Sequence, residues 1–98
     1  MWKLRAVDSD PAVPLVFRLL AGHMRTIGRT SGANFVVDAP LISRVHCRLI
    51  VANDGRVEVV DLDSTNGTWV NGERVQTAPL CEGNVLRVGR VEFVLEPD

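Results

Sequence analysis

Five polar side chains in three short segments of this sequence are of the types that bind anions. They are Arg29 in residues 28–34, Ser43 and Arg44 in residues 38–44, and Thr65 and Asn66 in residues 63–67. A guanidinium group can make two charge-assisted hydrogen bonds to a phosphate, whereas a lysine acts as a point charge. Hydroxyl and amide groups add further donors. If the three segments lie together, they predict a local phosphate-binding site.

The charge balance requires any anion binding to be local. Eleven Lys and Arg residues face twelve Asp and Glu residues, which gives a net charge of -1. Such a chain has no global positive field to attract duplex nucleic acid or an acidic membrane. With 98 residues, of which 46% are hydrophobic and 23% charged, the sequence predicts one globular domain over residues 1–98.

The rest of the sequence predicts an all-β fold. Short runs rich in Val, Ile, Leu, Phe and Trp alternate with turn residues, and no helical period extends over ten residues. The predicted strands are residues 2–7, 16–20, 25–28, 35–37, 46–52, 56–62, 68–70, 73–75, 85–88 and 91–95. We expect an antiparallel β-sandwich of about ten to eleven strands, with the ligand loops at one end.

Three turns connect strands in this prediction. Asn53-Asp54-Gly55 and Asn71-Gly72 tolerate positive φ between apolar runs, which is a strong hairpin signal, and Gly89-Arg90 separates the last two strands. Residues 8–14, which contain two prolines, are predicted to form a loop rather than an interdomain linker.

The order and spacing of the polar motifs resemble the forkhead-associated (FHA) domain family. The motifs are Gly28-Arg29, Ser43-x-x-His46 about fourteen residues later, Asn66-Gly67, and Thr68-Trp69-Val70-Asn71-Gly72. The resemblance extends over residues 19–95. It implies a β-sandwich that recognises phosphothreonine in a partner protein and is not an enzyme.

The resemblance also implies a role for each polar residue. Arg29 and Ser43 would contact the phosphate, and Arg44 would assist them. Thr65 would line the pocket near the phosphothreonine, and Asn66 would hydrogen-bond the peptide backbone.

Four further residues would support or tune the site by the same resemblance. Gly28, His46 and Gly67 would shape the loops without touching the ligand. Leu41, two residues before Ser43, would select the ligand residue downstream of the phosphothreonine, for which we expect an apolar side chain.

A narrower resemblance concerns about the first thirty residues. Met1-Trp2-Lys3-Leu4, residues 17–22 and Ile27-Gly28-Arg29 are similar to the start of nibrin-like DNA repair proteins. This would imply a nuclear protein that continues into BRCT repeats, acts in double-strand-break signalling and binds a Ser-phosphothreonine-Asp motif. Asn66 departs from the vertebrate pattern, and an acidic ligand residue conflicts with the preference expected from Leu41.

Enzymatic and metal-binding interpretations have weaker support. Ser43 and His46 with Asp61 or Asp63 could suggest a hydrolase, but no nucleophile elbow is present. His46 and Cys47 are neighbours on a predicted strand and point to opposite faces, so they cannot easily share a metal with His23 and Cys81. We therefore expect no catalytic residue, no metal and no cofactor.

Two alternatives concern other binding partners. Arg25, Arg29, Arg44 and Arg48 could together contact nucleic acid, although the few aromatic residues and the net charge argue against it. The same loops or a sheet face could instead serve phosphate-independent assembly. Trp2 and Trp69 are interpreted as core or sheet-surface residues rather than ligand contacts.

The terminal and cysteine patterns suggest the cellular setting. The first five residues include Lys3 and Arg5, unlike a signal peptide, and no run approaches the ~20 apolar residues of a membrane span. Cys47 and Cys81 do not form a disulfide framework. We expect a monomeric intracellular domain that does not bind membranes, nuclear if the nibrin-like resemblance holds and otherwise cytoplasmic.

Overall fold

The computed structural model describes residues 1–8 and 15–98, and its secondary structure in those ranges is entirely β. The strands are β1 (Trp2–Ala6), β2 (Val16–Leu19), β3 (Met24–Gly28), β4 (Phe35–Val36), β5 (Cys47–Val51), β6 (Val57–Asp61), β7 (Thr68–Val70), β8 (Glu73–Val75), β9 (Thr77–Leu80), β10 (Val85–Val88) and β11 (Val91–Pro97). The all-β prediction is confirmed. Residues 1–8 and 15–98 contain no helix that is long and apolar enough to span a membrane.

The strands form two sheets. The six-stranded sheet has the order β2-β1-β11-β10-β7-β8, and the five-stranded sheet has the order β4-β3-β5-β6-β9. Alternate residues of both sheets point into a shared apolar core, as in β5, where Cys47, Leu49 and Val51 are buried and the residues between them are partly exposed. Phe17 of one sheet stacks on Phe35 of the other, with ring centroids 4.5 Å apart.

The predicted turns are confirmed where strands pair across them. β7 pairs with β8, and Asn71 and Gly72 between them both have positive φ. Gly55 and Gly89 have positive φ in the β5–β6 and β10–β11 hairpins. These residues relieve the steric cost of the left-handed turn conformation. In the predicted loop of residues 8–14, Asp8 is exposed and residues 9–14 lie outside the described residues.

One strand was not predicted from the sequence. β9 contains Pro79, which is unusual in a strand because proline has no amide donor. β9 lies at the edge of its sheet and pairs with β6 alone, so Pro79 interrupts no second ladder. The count of eleven strands falls within the predicted range.

One strand pair departs from the antiparallel pattern. β3 and β4 pair in parallel, with Ile27 opposite Phe35. The Asn34 side chain holds the returning chain beside β3, since its Oδ1 accepts a hydrogen bond from the Thr26 amide at 2.9 Å. The Asn34 amide in turn donates to Thr26 Oγ1 at 3.0 Å. The Asn34 side chain thus replaces part of the backbone hydrogen bonding between β3 and β4. The alternation of apolar and polar residues in the sequence carries no sign of this contact.

Candidate functional site

The three polar segments meet at one end of the sandwich. The Arg29 amide donates to the Ser43 carbonyl at 3.0 Å, which joins the first segment to the second. The Thr65 amide donates to Ser43 Oγ at 3.2 Å, and Asn66 Nδ2 donates to the Leu41 carbonyl at 3.1 Å. These contacts join the second segment to the third and bring residues separated by up to 25 positions into contact.

A shallow pocket of about 310 Å³ opens where the segments meet. It is lined by Arg29, Pro40, Leu41, Ile42, Ser43, Thr65 and Asn66. Four of the five predicted ligand contacts and the predicted specificity residue therefore share one pocket. A larger pocket of about 430 Å³ between the β11 region and residues 36–39 is mainly apolar and lacks such a cluster of donors.

Arg44 is the predicted contact that does not line the pocket. Its side chain is exposed, and its carbonyl accepts hydrogen bonds from the Thr30 amide and hydroxyl. The residue thus anchors the first segment through its backbone. Its side chain is outside the lining of the pocket.

The pocket has donors available to a ligand. Arg29 Nε donates to the Ile42 carbonyl at 3.0 Å, and no partner for its terminal amino groups is found among the described residues. The ion pairs in the described ranges involve other arginines, so the charge of Arg29 is uncompensated there. Ser43 Oγ accepts from Thr65, and its proton has no acceptor among residues 1–8 and 15–98, so it can be donated to an anion. A fixed guanidinium beside a free hydroxyl suits phosphate oxygens.

The buried side chain of His46 connects the second and third segments. Its ring is fully buried, its Nδ1 accepts a hydrogen bond from the Ser43 amide at 3.1 Å, and its Nε2 lies 2.8 Å from the Gly67 carbonyl. An amide donor at Nδ1 requires the neutral tautomer with the proton on Nε2, which then donates to Gly67. Both ring nitrogens are occupied in holding the loops.

An added Cβ would be crowded at two of the predicted loop-shaping glycines, by backbone at Gly28 and by the Arg74 side chain at Gly67. A Cβ at Gly28 would stand 2.1 Å from the Arg44 carbonyl oxygen. Gly67 has φ of +87°, and a Cβ there would stand 2.6 Å from Arg74 Nε. Gly89 was missed as a third such position, since its Cβ would stand 3.0 Å from the Pro40 carbonyl oxygen.

Asp61 organises the third segment and was not predicted to support the site. Its carboxylate accepts hydrogen bonds from the Ser64 hydroxyl at 2.5 Å, the Ser64 amide at 3.2 Å and the Thr68 hydroxyl at 2.7 Å. Ser64 Oγ in turn accepts from the Gly67 amide. Burial favours a higher pKa for Asp61, but these hydrogen bonds outweigh it and lower the pKa below its ordinary value. Its position at the end of a strand was the only signal in the sequence.

Leu41 is held in an unfavourable backbone conformation. Its φ is +69°, a region that costs a bulky side chain about 1 to 3 kcal/mol. The Asn66 side chain donates a hydrogen bond to the Leu41 carbonyl, and Leu41 lines the pocket while remaining 44% exposed. These contacts thus hold the apolar Leu41 side chain at the edge of the pocket.

The alternative sites do not assemble among the described residues. His46 contacts the amide of Ser43 rather than its hydroxyl, and the Asp61 carboxylate is bonded to Ser64 and Thr68, so these groups form no nucleophile–base pair. No metal-binding cluster of His, Cys, Asp and Glu occurs in the described ranges. Arg25 bonds to His23 and Met24 and does not line the Arg29 pocket.

Comparison with known proteins decides the family. The model of the FHA domain matches residues 25–89, which include all three polar segments. The chain belongs to the FHA domain family. The FHA domain-containing protein FhaA of Mycobacterium tuberculosis is 41% identical over 70 residues, which cover 70% of this chain and 13% of that protein.

Solved FHA domains share the whole architecture. The FHA domain of CT664 from Chlamydia trachomatis has a TM-score of 0.89 and 28% identity, with 99% of this chain and 97% of that chain covered. An FHA domain analysed for phosphothreonine-dependent interactions has a TM-score of 0.88 and 30% identity, with 99% and 96% covered.

Several curated relatives are bacterial proteins longer than this chain. The chain spans 8% to 53% of the length of three such relatives from Mycobacterium and Corynebacterium. These relatives lend no support to the narrower nibrin-like resemblance.

Proposed function

We propose that this FHA domain binds proteins that carry phosphothreonine, through the pocket formed by Arg29, Ser43, Thr65 and Asn66. The observation that carries the proposal is the pairing of an uncompensated guanidinium with a free hydroxyl in one pocket. A similar FHA domain has been analysed for phosphothreonine-dependent interactions, and that of FhaA has been solved with the intracellular domain of Rv3910.

Three residues of the proposed site contact the phosphate group. The terminal amino groups of Arg29 and the Ser43 hydroxyl bind phosphate oxygens. Arg44, whose side chain is exposed next to Ser43 in the chain, assists them. Phosphate brings about -1.5 to -2 charges and three strong acceptors, so a chain of net charge -1 can bind it locally.

Thr65 and Asn66 act on the rest of the ligand. Thr65 lines the pocket beside the phosphothreonine side chain. Asn66 bonds to the peptide backbone, and its contact with Leu41 pre-positions the amide for that bond. One buried methyl group contributes roughly 0.8 kcal/mol, so packing alone gives a preference of only a few-fold for phosphothreonine over phosphoserine.

The decisive experiment is a titration of matched peptides. A degenerate library selects a phosphothreonine peptide, which is then compared with its phosphoserine and unmodified threonine forms by calorimetry. We expect binding of the phosphothreonine form and a loss of about 10- to 100-fold on Arg29→Ala, since hydrogen bonds between charged groups are worth about 1.5 to 3 kcal/mol.

Two matched controls separate the pocket from general effects. Arg56→Ala removes an equal charge from an exposed ion pair elsewhere, and Ser31→Ala matches Ser43→Ala but lies outside the pocket lining. We expect Arg29→Ala and Ser43→Ala to weaken binding and the two control variants to bind like the wild type. Equal binding of the unmodified peptide would reject the phosphate-dependent function.

Phosphate-independent assembly through the same loops is the second candidate, carried by the exposed apolar Leu41 at the pocket edge. Under that function a partner captured from cell extract would stay bound after phosphatase treatment. Under the proposed function it would be released.

The wider setting also belongs to the proposal. We infer that residues 1–98 act as one intracellular recognition module without catalysis, which works as a monomer. A nuclear role in DNA-break signalling has no support from the bacterial relatives. Imaging of the tagged full-length protein, with and without DNA breaks, tests the compartment directly.

A further inference from the structure

Three side chains form a row on the outer face of the six-stranded sheet. Trp69 of β7 lies opposite Arg74 of β8 and opposite Arg87 of β10. Directly opposed residues of antiparallel strands point to the same side. Their strand neighbours Thr68, Leu86 and Val88 are fully buried, so the row faces outward. We call Arg74, Trp69 and Arg87 the Arg-Trp-Arg row.

The row is continuous with the phosphothreonine pocket. Trp69 Nε1 donates to the carbonyl of Asn66 at 3.2 Å, and Asn66 lines that pocket. The Arg74 side chain lies against Gly67, the next residue of the loop, because a Cβ there would stand 2.6 Å from Arg74 Nε. A ligand that leaves the pocket past Asn66 therefore meets the row directly.

The row carries positive charge that nearby acids do not neutralise. The Arg87 guanidinium lies 4.6 Å from the centroid of the Trp69 ring, a cation–π contact that limits its motion. The ion pairs of the described residues involve neither Arg74 nor Arg87, although Glu92 is the other cross-strand neighbour of Arg87. The two arginines on the strands that flank Trp69 are thus available to an anion.

We propose that the Arg-Trp-Arg row binds a second anionic side chain, carboxylate or phosphate, that flanks the phosphothreonine in the same ligand. This inference rests on the proposed function. Strands lie about 4.8 Å apart, so the row spans about 10 Å, or roughly three residues of extended peptide. The acidic group should therefore occur within about five residues of the phosphothreonine.

The test scans acidic groups along a phosphothreonine peptide selected from the library. Aspartate or phosphoserine replaces alanine in turn at each of the five positions on either side, and calorimetry gives the ratio of the alanine Kd to the acidic Kd. We expect a ratio of about two to five at one or two adjacent positions, because exposed charge pairs contribute at most about 1 kcal/mol. Comparing the two acids shows which source of charge is preferred.

Variants connect that ratio to the row. In the double variant Arg74→Gln/Arg87→Gln, the ratio of the alanine Kd to the acidic Kd should fall to about one. The charge-matched control is Arg18→Gln with Arg56→Gln, which removes two exposed arginines from other surface ion pairs and should keep the ratio. Arg74→Gln alone is a milder variant, since this exposed side chain makes no hydrogen bond in the described ranges, and it should lower the ratio part-way.

Several outcomes would overturn the inference. A ratio near one at every position, or a ratio unchanged in the double variant, rejects the second anion site while the phosphothreonine pocket stands. Binding of a twelve-nucleotide single-stranded DNA more tightly than any phosphopeptide, lost in the double variant, would assign the row to nucleic acid. If no phosphothreonine peptide binds better than its unmodified form, the proposed function fails and this inference fails with it.

Discussion

The amide of Ser43 donates a hydrogen bond to Nδ1 of His46, and the opposite nitrogen of the same ring contacts the carbonyl of Gly67. One buried imidazole thereby sets the distance between the loop that carries Ser43 and the loop that carries Thr65 and Asn66. The pocket depends on this spacing, since its donors come from both loops.

Replacing His46 with alanine should weaken both the fold and the site. The Ser43 amide and the Gly67 carbonyl would lose their partners, which we expect to lower the free energy of unfolding by about 2 to 4 kcal/mol. Phosphothreonine peptide affinity should fall about tenfold because the donors lose their alignment. Urea unfolding and calorimetry below the unfolding transition measure the two effects separately.

His23→Ala is the matched control for this change. His23 is exposed, and its ring contacts only Arg25 among the described residues, so both quantities should stay near those of the wild type. Wild-type peptide affinity in folded His46→Ala would contradict the positioning role of the imidazole.

A methyl group at Gly28 should displace the loop that carries Ser43. The Cβ of Gly28→Ala would stand 2.1 Å from the Arg44 carbonyl oxygen, and a backbone atom cannot move aside as a flexible side chain can. We expect a loss of about 2 to 3 kcal/mol in unfolding free energy from overpacking, together with weaker peptide binding. Chemical-shift changes should concentrate in residues 28–30 and 43–46.

Gly72→Ala separates crowding from backbone strain. Gly72 has φ of +83° and no atom within 4 Å of an added Cβ, so this variant carries the strain alone. It should lose about 1 to 2 kcal/mol and keep its peptide affinity. An equal loss of affinity in both variants would mean that the close approach at Gly28 does not position the pocket.

Asp61 should make the stability of the domain fall in acid. Because hydrogen bonds hold its pKa below the ordinary value of 3.8 in the folded chain, the unfolded chain binds a proton first as the pH is lowered. The stabilisation is therefore complete well above pH 3.8 and is lost as the pH falls through the lower folded pKa. Urea unfolding over a range from about pH 3 to pH 7 measures this slope.

Asp61→Asn should flatten that slope and lower the stability near neutral pH by about 1 to 3 kcal/mol, because a neutral amide replaces the charged acceptor. Asp63→Asn is the control, since Asp63 is exposed and asparagine tolerates its positive φ. An unchanged slope in Asp61→Asn would show that other carboxyl groups cause the acid sensitivity.

The two cysteines should differ sharply in reactivity. Burial, with a contribution from the charge of Asp61, raises the pKa of Cys47 to about 12, whereas Cys81 is exposed. The thiolate is the reactive form, so a thiol reagent at about pH 8 should modify Cys81 quickly and Cys47 only on unfolding. Cys81→Ser should leave almost no fast-reacting thiol, and a fast-reacting Cys47 would show that β5 opens readily.

Much of the architecture was predictable because its signals are local. Asn71-Gly72 and Gly55 mark hairpins through their own backbone preferences, and alternation within β5 separates its buried from its exposed residues. β9 was missed because Pro79 is acceptable only at a sheet edge, and the position of a strand within its sheet is not a local property.

The candidate site was predictable as a set of residue types but not as an arrangement. Arg29, Ser43, Thr65 and Asn66 were identified from motif spacing, and the structure places all four at one pocket. Arg44 has the same side-chain chemistry as Arg29, yet Arg29 lines the pocket and Arg44 does not. Only the relative placement of the two loops distinguishes these arginines.

By itself, the sequence determined every strand except β9, the hairpin turns and the polar residues of the three loops, because those features depend on neighbouring residues along the chain. The tertiary structure alone decided the contact of Gly28 with Arg44, the support of Ser64 and Thr68 by Asp61, and the row formed by Arg74, Trp69 and Arg87. These relationships depend on strand register and on the close packing of separate loops, which are set by the free energy of the whole fold.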